Sequence, residues 1–490
     1  MLPYKNLIII NPEAHIPVYR QIAVQFISLI QEGKLLPGTL LPSTRVLAFD
    51  LQLHRKTITA AYDILVSEDW ADNLPRKGYI VSSDLPLVKP RSYKKNKIGA
   101  FAHKNVISFE KLETILNPVV PIDHGRIMVN DGFPDISLLP VNAIAKQFKK
   151  SLDDITYKVS LRHQVSDQSN LSVELCSFLK QTRGLDMGVE NIFTTRGAQM
   201  AIYIAASLII KPGDKVIVSD PSYFIADLVF ERLGAQLIRV PVDSDGVSTQ
   251  AIEEVLQNHT IKMIYIIPHH HHPTTVTMSV ERRQHMLRLI NAYDVAVIED
   301  DYDYDFQFKY DPYLPLASED HGGKIIYIGS LTKVLGTPFR LGYMIATTDF
   351  LEAARKMRRL IDIRSDIIIE EAAAGLIRNG DLTRHIQKSN RLYSQRCDMA
   401  SALINKELEG AVSFTKPTGG MALWLKFIPE LDLSAIIKEA HKNGVTFSGS
   451  IYCTGKDANF NACRFGFASL DEKQLTEAIE IVKNAVHYIS

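Results

Sequence analysis

Two rhythms of apolar residues divide this chain. Near the start, Val18, Ile22, Phe26 and Leu29 recur at steps of four and three, the stripe of an amphipathic helix. "KLLPGTLLPS" breaks the stripe at Pro37, Gly38 and Pro42. Ser43 can cap a second helix that carries Val46, Leu47 and Leu51 inward. A short turn at Leu53 and His54 leads to a third, "RKTITAAYDILVSEDW", whose apolar face is Ile58, Ala61, Tyr62 and Leu65. "LPRKGYIVSS" predicts a tight turn at Lys77-Gly78 and a strand from Tyr79 to Val81. From about residue 118 the rhythm changes. Short apolar runs at 215–220, 262–268, 295–300 and 324–330 alternate with longer helical stretches. Such runs suit strands buried on both faces of a mostly parallel sheet, where ligands bind beyond the C-terminal strand ends.

Helix, helix, short turn, helix, hairpin is the order of a winged helix-turn-helix, predicted over residues 1–83. The third helix would enter a DNA major groove with Arg55, Lys56, Thr57 and Thr59 leading. Arg45, Arg76 and Lys77 would flank it. Bulk charge does not decide the matter, because residues 1–83 hold 8 Lys/Arg against 7 Asp/Glu. A small helical domain with a solvated basic face is the plainer alternative. Residues 84–105 carry six basic residues against one acid, with two prolines and no period. They read as the core of an exposed basic linker, placed at 84–117, with an α/β domain over 118–490.

Composition narrows the class. A chain of 490 residues exceeds one ordinary core, and its zero net charge excludes a generally basic nucleic-acid binder. Cys176, Cys397, Cys453 and Cys463 are too scattered for a disulfide framework. "MLPYKNLIIINPEAHIPVYR" lacks the pattern of a signal peptide, and no apolar run is long enough to span a membrane. A cytoplasmic protein is the expectation.

The residues after the apolar runs carry the chemistry. Lys333 follows the run 324–330 within three residues, and a lysine there can form a Schiff base with an aldehyde. Ser330, Thr332 and Arg340 surround it and can hold a phosphate. Gly197, Ala198 and Gln199 open an apolar helix whose first N–H groups favour an anion. Asp300 can keep a pyridinium nitrogen protonated, Tyr302 can reach a phenolic oxygen on the same ring, and Tyr223 can stack on it. Together these are the parts for pyridoxal 5′-phosphate. The run His269–His272 invites a metal reading, but it lacks partners at metal spacing. No metal is expected; the run either forms an active-site loop with His272 near the cofactor or is structural.

"GSLTKVLGTPFRLGYM", "EDDYDYDF", "TRGAQMAI" and "CRFGFASL" resemble fold-type I aminotransferases over roughly residues 125–488. "LPSTRVLAFDLQLHRKTITAAYDIL" with "RKGYIV" resembles the winged helix of GntR-type bacterial regulators. The two in series resemble the MocR/GabR-type regulators. The resemblance implies an α/β fold-type I domain with a small C-terminal α+β subdomain. It makes Lys333 the cofactor lysine, Asp300 the partner of the ring nitrogen, and Tyr302 and Tyr223 its neighbours. Gly197, Ala198, Gln199, Ser330, Thr332 and Arg340 would line the phosphate, and Arg464 would grip an amino acid's carboxylate, the alternative for Arg464 being a structural salt bridge. It also implies a head-to-tail homodimer. One stretch departs from the pattern: His271-His272-Pro273-Thr274-Thr275 stands where aminotransferases have Asn-Pro-Thr-Gly. The missing Asn, and Thr275 in place of Gly, weigh against full transamination. The expected function is a DNA-binding regulator sensing pyridoxal 5′-phosphate and a small amino compound. The alternatives are a regulator sensing the cofactor alone and a metabolic aminotransferase with an appended domain.

Overall fold

The computed structural model describes residues 4–11, 13–75, 77–85, 127–162, 169–308, 313–448, 451–452 and 460–489. The chain divides into two units, Met1–Leu112 and Glu113–Ser490. Arg76, Cys453 and all of the basic linker beyond residue 85 lie outside the described residues.

In the first unit the predicted stripe forms the helix Val18–Gln31 and buries Ile22, Phe26 and Leu29. Ser43 caps the helix Thr44–Asp50, its hydroxyl accepting the Val46 N–H at 3.3 Å. The expectation for Val46 is corrected here. It stands 45% exposed, and the buried side chains of this helix are Leu47 and Ala48. At 100° per residue Leu47, Ala48 and Leu51 share one face, which turns Val46 outward. The third helix, Arg55–Ser67, buries Ile58, Ala61, Tyr62 and Leu65 as read. Tyr62 packs edge-on against Phe26, and its hydroxyl donates to the Pro42 carbonyl at 2.8 Å. Strands β1 (Ala71–Leu74) and β2 (Gly78–Val81) pair antiparallel into the wing.

In the second unit β3 (Ile127–Val129) precedes an eight-stranded sheet. Its strands are β4 (Ile192–Thr195), β5 (Lys215–Asp220), β6 (Gln236–Asp243), β7 (Gly246–Val247), β8 (Met263–Ile266), β9 (Ala296–Asp301), β10 (Ile325–Ser330) and β11 (Gly342–Ile345), in the order β4-β11-β10-β9-β8-β5-β6-β7. The stretch β10-β9-β8-β5-β6 is wholly parallel. Alternation along each strand feeds two cores. Met263 and Tyr265 pack with Ala201, Ile202 and Ala205 of the helix Ala198–Ile209, whereas Ile264 and Ile266 pack with Ile252, Met286 and Leu289. Burial on both faces explains why these runs read as continuously apolar. The smaller C-terminal sheet comprises β12 (Val412–Ser413), β13 (Ala422–Phe427), β15 (Ile451–Tyr452) and β16 (Ala462–Gly466), all antiparallel. The remaining strand, β14 (Val445–Phe447), pairs with β3 and so ties residues 127–129 to this C-terminal part.

Candidate functional site

The predicted residues converge at the C-terminal ends of β9 and β10. Three acids end β9, and strand alternation separates them. Asp300 shares its face with Ile298 and meets Tyr265, whose hydroxyl donates to Asp300 Oδ2 at 2.7 Å. Glu299 faces away and accepts the backbone N–H groups of Leu316 and Ala317, both at 2.8 Å. Asp301 accepts the Tyr327 hydroxyl at 2.8 Å. Burial pushes Asp300 up to about 7; the Tyr265 hydrogen bond opposes this, and Asp301 and Asp303 add to it. Asp300 Oδ1 is buried and has no hydrogen-bond partner among the described residues.

Lys333 lies in the single helical turn Thr332–Leu335 that follows β10. Its Nζ donates to the Gly132 carbonyl at 2.8 Å and sits 4.0 Å from the centre of the Phe133 ring and 5.8 Å from that of Tyr302. Burial brings the ammonium down to about 8, with Asp131 opposing and Arg464 assisting. Burial thus shifts Lys333 toward the free amine, the form that attacks a carbonyl.

The phosphate-type residues gather beside it. Gly197 caps the helix Ala198–Ile209 at φ 80°, a backbone that favours glycine. A Cβ there would come within 3.1 Å of Arg340 Nη2 and 3.7 Å of the Thr332 hydroxyl. Gly197, Arg340 and Thr332 thus form a cradle against a helix N-terminus, which suits an anion. Ala198 is the first residue of that helix, and Gln199 Oε1 accepts the Tyr223 hydroxyl at 3.2 Å. The Ser330 hydroxyl accepts the Thr332 N–H at 3.2 Å and so shapes the turn beneath. The cradle, Lys333 and the unpaired Asp300 oxygen together fit pyridoxal 5′-phosphate: an anion, a carbonyl and a ring N–H.

The four histidines are all buried, at 1%, 1%, 2% and 5% exposure for His269, His270, His271 and His272. Each has its own partner. His269 meets the Tyr313 carbonyl, His270 meets Asp303, His271 meets Ser219 and Thr274, and His272 meets Asp131. Among the described residues no group of His, Cys, Asp and Glu can hold a metal ion. His272 packs edge-on to Tyr223 at 5.0 Å and to Tyr302 at 6.2 Å. The Tyr302 hydroxyl donates to the His270 carbonyl at 2.9 Å. Thr275 keeps a left-handed backbone, φ 62°, at the position where the aminotransferase turn has Gly.

Arg464 is 1% exposed, and its Nη1 donates to the Pro273 carbonyl at 3.0 Å. Its Nε forms an ion pair with Asp131 Oδ1 at 3.1 Å. Asp131, Gly132 and Tyr265 are the site residues that sequence reasoning missed. An Asp-Gly pair reads as an ordinary turn, and Tyr265 reads as one more strand aromatic. A buried tyrosine hydroxyl needs a partner, and that need was the signal for Tyr265.

In the first unit Arg45, Arg55, Lys56 and Lys77 are exposed. Arg55 Nε donates to the Thr44 hydroxyl at 3.1 Å, joining the starts of the second and third helices. Thr57 is half-buried, and the Thr59 hydroxyl donates back to the Arg55 carbonyl at 3.1 Å.

Comparison with known proteins gives two family matches: aminotransferase class I and II over residues 130–482, and bacterial regulatory proteins of the gntR family over residues 18–81. The chain is 24% identical to a probable rhizopine catabolism regulatory protein, MocR, of Rhizobium meliloti, covering 98% of this chain and 96% of that protein. It is 25% identical to the HTH-type pyridoxine biosynthesis transcriptional regulator PdxR of Corynebacterium glutamicum, covering 98% of each. Among solved structures, an archaeal alanine:glyoxylate aminotransferase matches at TM-score 0.69 and 28% identity, over 74% of this chain and 91% of that one.

Proposed function

Because this chain belongs to the class I and II aminotransferase family and carries a gntR-family regulatory domain ahead of it, we propose that it is a transcriptional regulator that binds promoter DNA through its winged helix and senses pyridoxal 5′-phosphate, together with a small amino compound, in its aminotransferase-like unit. The family is dependent on pyridoxal 5′-phosphate, and the residues present fit that group. The observation that carries the sensing role is the buried Asp300 oxygen with no hydrogen-bond partner among the described residues, in the same site as Lys333, Tyr223 and the Gly197–Arg340 cradle. A buried carboxylate without a cation or full hydrogen bonding is costly, and a ring N–H would satisfy it. Lys333 would hold the cofactor covalently, Asp300 its ring nitrogen, and Gly197, Ala198, Gln199, Ser330, Thr332 and Arg340 its phosphate. Tyr302, Tyr223 and His272 would wall the ring. When bound, the cofactor supplies an electrophilic carbonyl for which amines compete.

Arg45, Arg55, Lys56, Thr57, Thr59, Arg76 and Lys77 are the proposed DNA-contacting residues, and the protein is proposed to be cytoplasmic. Among the described residues no helix is long and apolar enough to cross a membrane. We also propose the head-to-tail homodimer. Leu360 and Ile363 stand 82% and 71% exposed between the helices Thr348–Arg359 and Ile367–Arg378, and apolar side chains clustered in this way favour a partner surface. Slow or absent turnover accords with Thr275 in place of the turn glycine.

Borohydride reduction followed by peptide mapping tests the cofactor site. The expected result is a phosphopyridoxyl label on Lys333, abolished in Lys333→Ala. A label on another lysine, or none, overturns the reading.

A further inference from the structure

We propose that Asp131 occupies the carboxylate-binding face of Arg464, so that the amine recognised at this site is a primary amine carrying no carboxylate. The inference rests on the cofactor reading above and names the ligand class of that site.

Asp131 is held between two partners. One oxygen meets Arg464 Nε at 3.1 Å, and the other meets His272 Nε2 at 2.9 Å. Arg464 is fully buried, and such a guanidinium is strongly unfavourable without a countercharge. Asp131 supplies that countercharge from within the chain. A neutral His272 donates its Nε2–H to the second oxygen, so both carboxylate oxygens are engaged.

The turn that presents Asp131 is built. The Asn130 side-chain oxygen accepts the N–H groups of Gly132 at 3.0 Å and Phe133 at 2.9 Å. The Asn130 carbonyl accepts the Gly466 N–H at 2.9 Å, and its side-chain amide donates to the Ser469 hydroxyl at 2.7 Å. The Gly132 carbonyl accepts Lys333 Nζ. Asp131 is thus fixed on one side by β16 and the loop after it, and on the other by the lysine itself. Gly132 leaves no room for adjustment, because a Cβ there would lie 3.2 Å from Arg464 Nη2.

A ligand carboxylate aimed at Arg464 would have to displace Asp131 or share one guanidinium with it. Displacement leaves an acid beside the incoming one, and sharing places two like charges in a buried site. An amine without a carboxylate meets neither obstacle. Of the two readings open for Arg464, a grip on an amino acid or a structural salt bridge, this proposal takes the second, with Asp131 as the partner.

The test uses the full-length protein loaded with pyridoxal 5′-phosphate and two matched pairs that differ by one carboxylate: 2-phenylethylamine with L-phenylalanine, and putrescine with L-ornithine. Each is titrated while the visible absorption of the cofactor and the melting temperature are followed. Loading is verified beforehand by borohydride labelling of Lys333. In the wild type the amine of each pair should half-saturate at least tenfold below its amino acid. Asp131→Asn should narrow or invert that ratio by admitting the amino acid, and Asp131→Ser is the second variant should the first not fold. Equal or better response of the wild type to the amino acids overturns the proposal. So does silence to both members, or an unchanged ratio in a folded Asp131 variant. If Lys333 carries no label, the cofactor reading falls and this proposal falls with it; a labelled Lys333 with an unchanged ratio removes this proposal alone.

Discussion

At the scale of single residues, Asp300 shows how context selects one acid from three. Glu299, Asp300 and Asp301 are consecutive, yet of the three Asp300 shares a face with Ile298 and accepts the Tyr265 hydroxyl, its other oxygen having no hydrogen-bond partner among the described residues. Asp301 Oδ1, which also makes no hydrogen bond there, faces His269 at 3.5 Å. This gives a signed pH dependence. Burial raises Asp300 to about 7, so between about 4 and 7 the folded chain keeps a proton that the unfolded chain has lost. Its contribution to stability is full at low pH and is lost as pH rises through about 7. In cofactor-free protein, Asp300→Asn should therefore gain on the wild type across that window, by at most about 1.4 kcal/mol per pH unit. Urea unfolding at several pH values measures it, and a parallel pair of curves would show that Asp300 does not titrate there. The same scale explains what the sequence hid. Lys333 and Asp300 could be found because each stands at a strand end, where position alone suggests a role. Asp131 could not, because its partners His272 and Arg464 lie far along the chain and only the fold brings the three together.

Elements were legible where burial was symmetrical. The runs that became β5, β8, β9 and β10 are buried on both faces, so their composition announced them. β6 was harder to see, because half-buried and exposed positions interrupt its apolar residues. The winged helix was readable from breakers and stripes, with one error at Val46. That error has a plain cause: a seven-residue helix has room for only one inward face, and Leu47 with Ala48 took it. Short helices also depend more on their caps. Ser43→Ala should cost about 1 kcal/mol in the first unit. The two tryptophans fall one in each unit, so Trp70 fluorescence in a Trp424→Phe background follows that unit within the full chain. A midpoint unmoved by the substitution would mean that the Ser43 hydroxyl does no capping in solution.

At the scale of the whole molecule, zero net charge conceals a division of labour, with cations exposed on one unit and an anion cradle built into the other. The two roles should separate by mutation. Arg55→Ala with Lys56→Ala should weaken promoter binding and lower the salt slope by roughly 0.9 for each phosphate contact removed, while leaving the cofactor absorption as it was. Gel-shift titrations across a salt series read the first effect and a spectrum reads the second. Promoter affinity unaltered at every salt concentration would assign recognition to another surface. The burial of the four consecutive histidines has a practical consequence of its own. On paper this chain carries a short histidine tag; in the folded protein every one of those imidazoles is turned inward and has a partner. The native protein should pass through a nickel resin on this count and adhere only once unfolded, so that the run serves as an internal gauge of whether a preparation is folded.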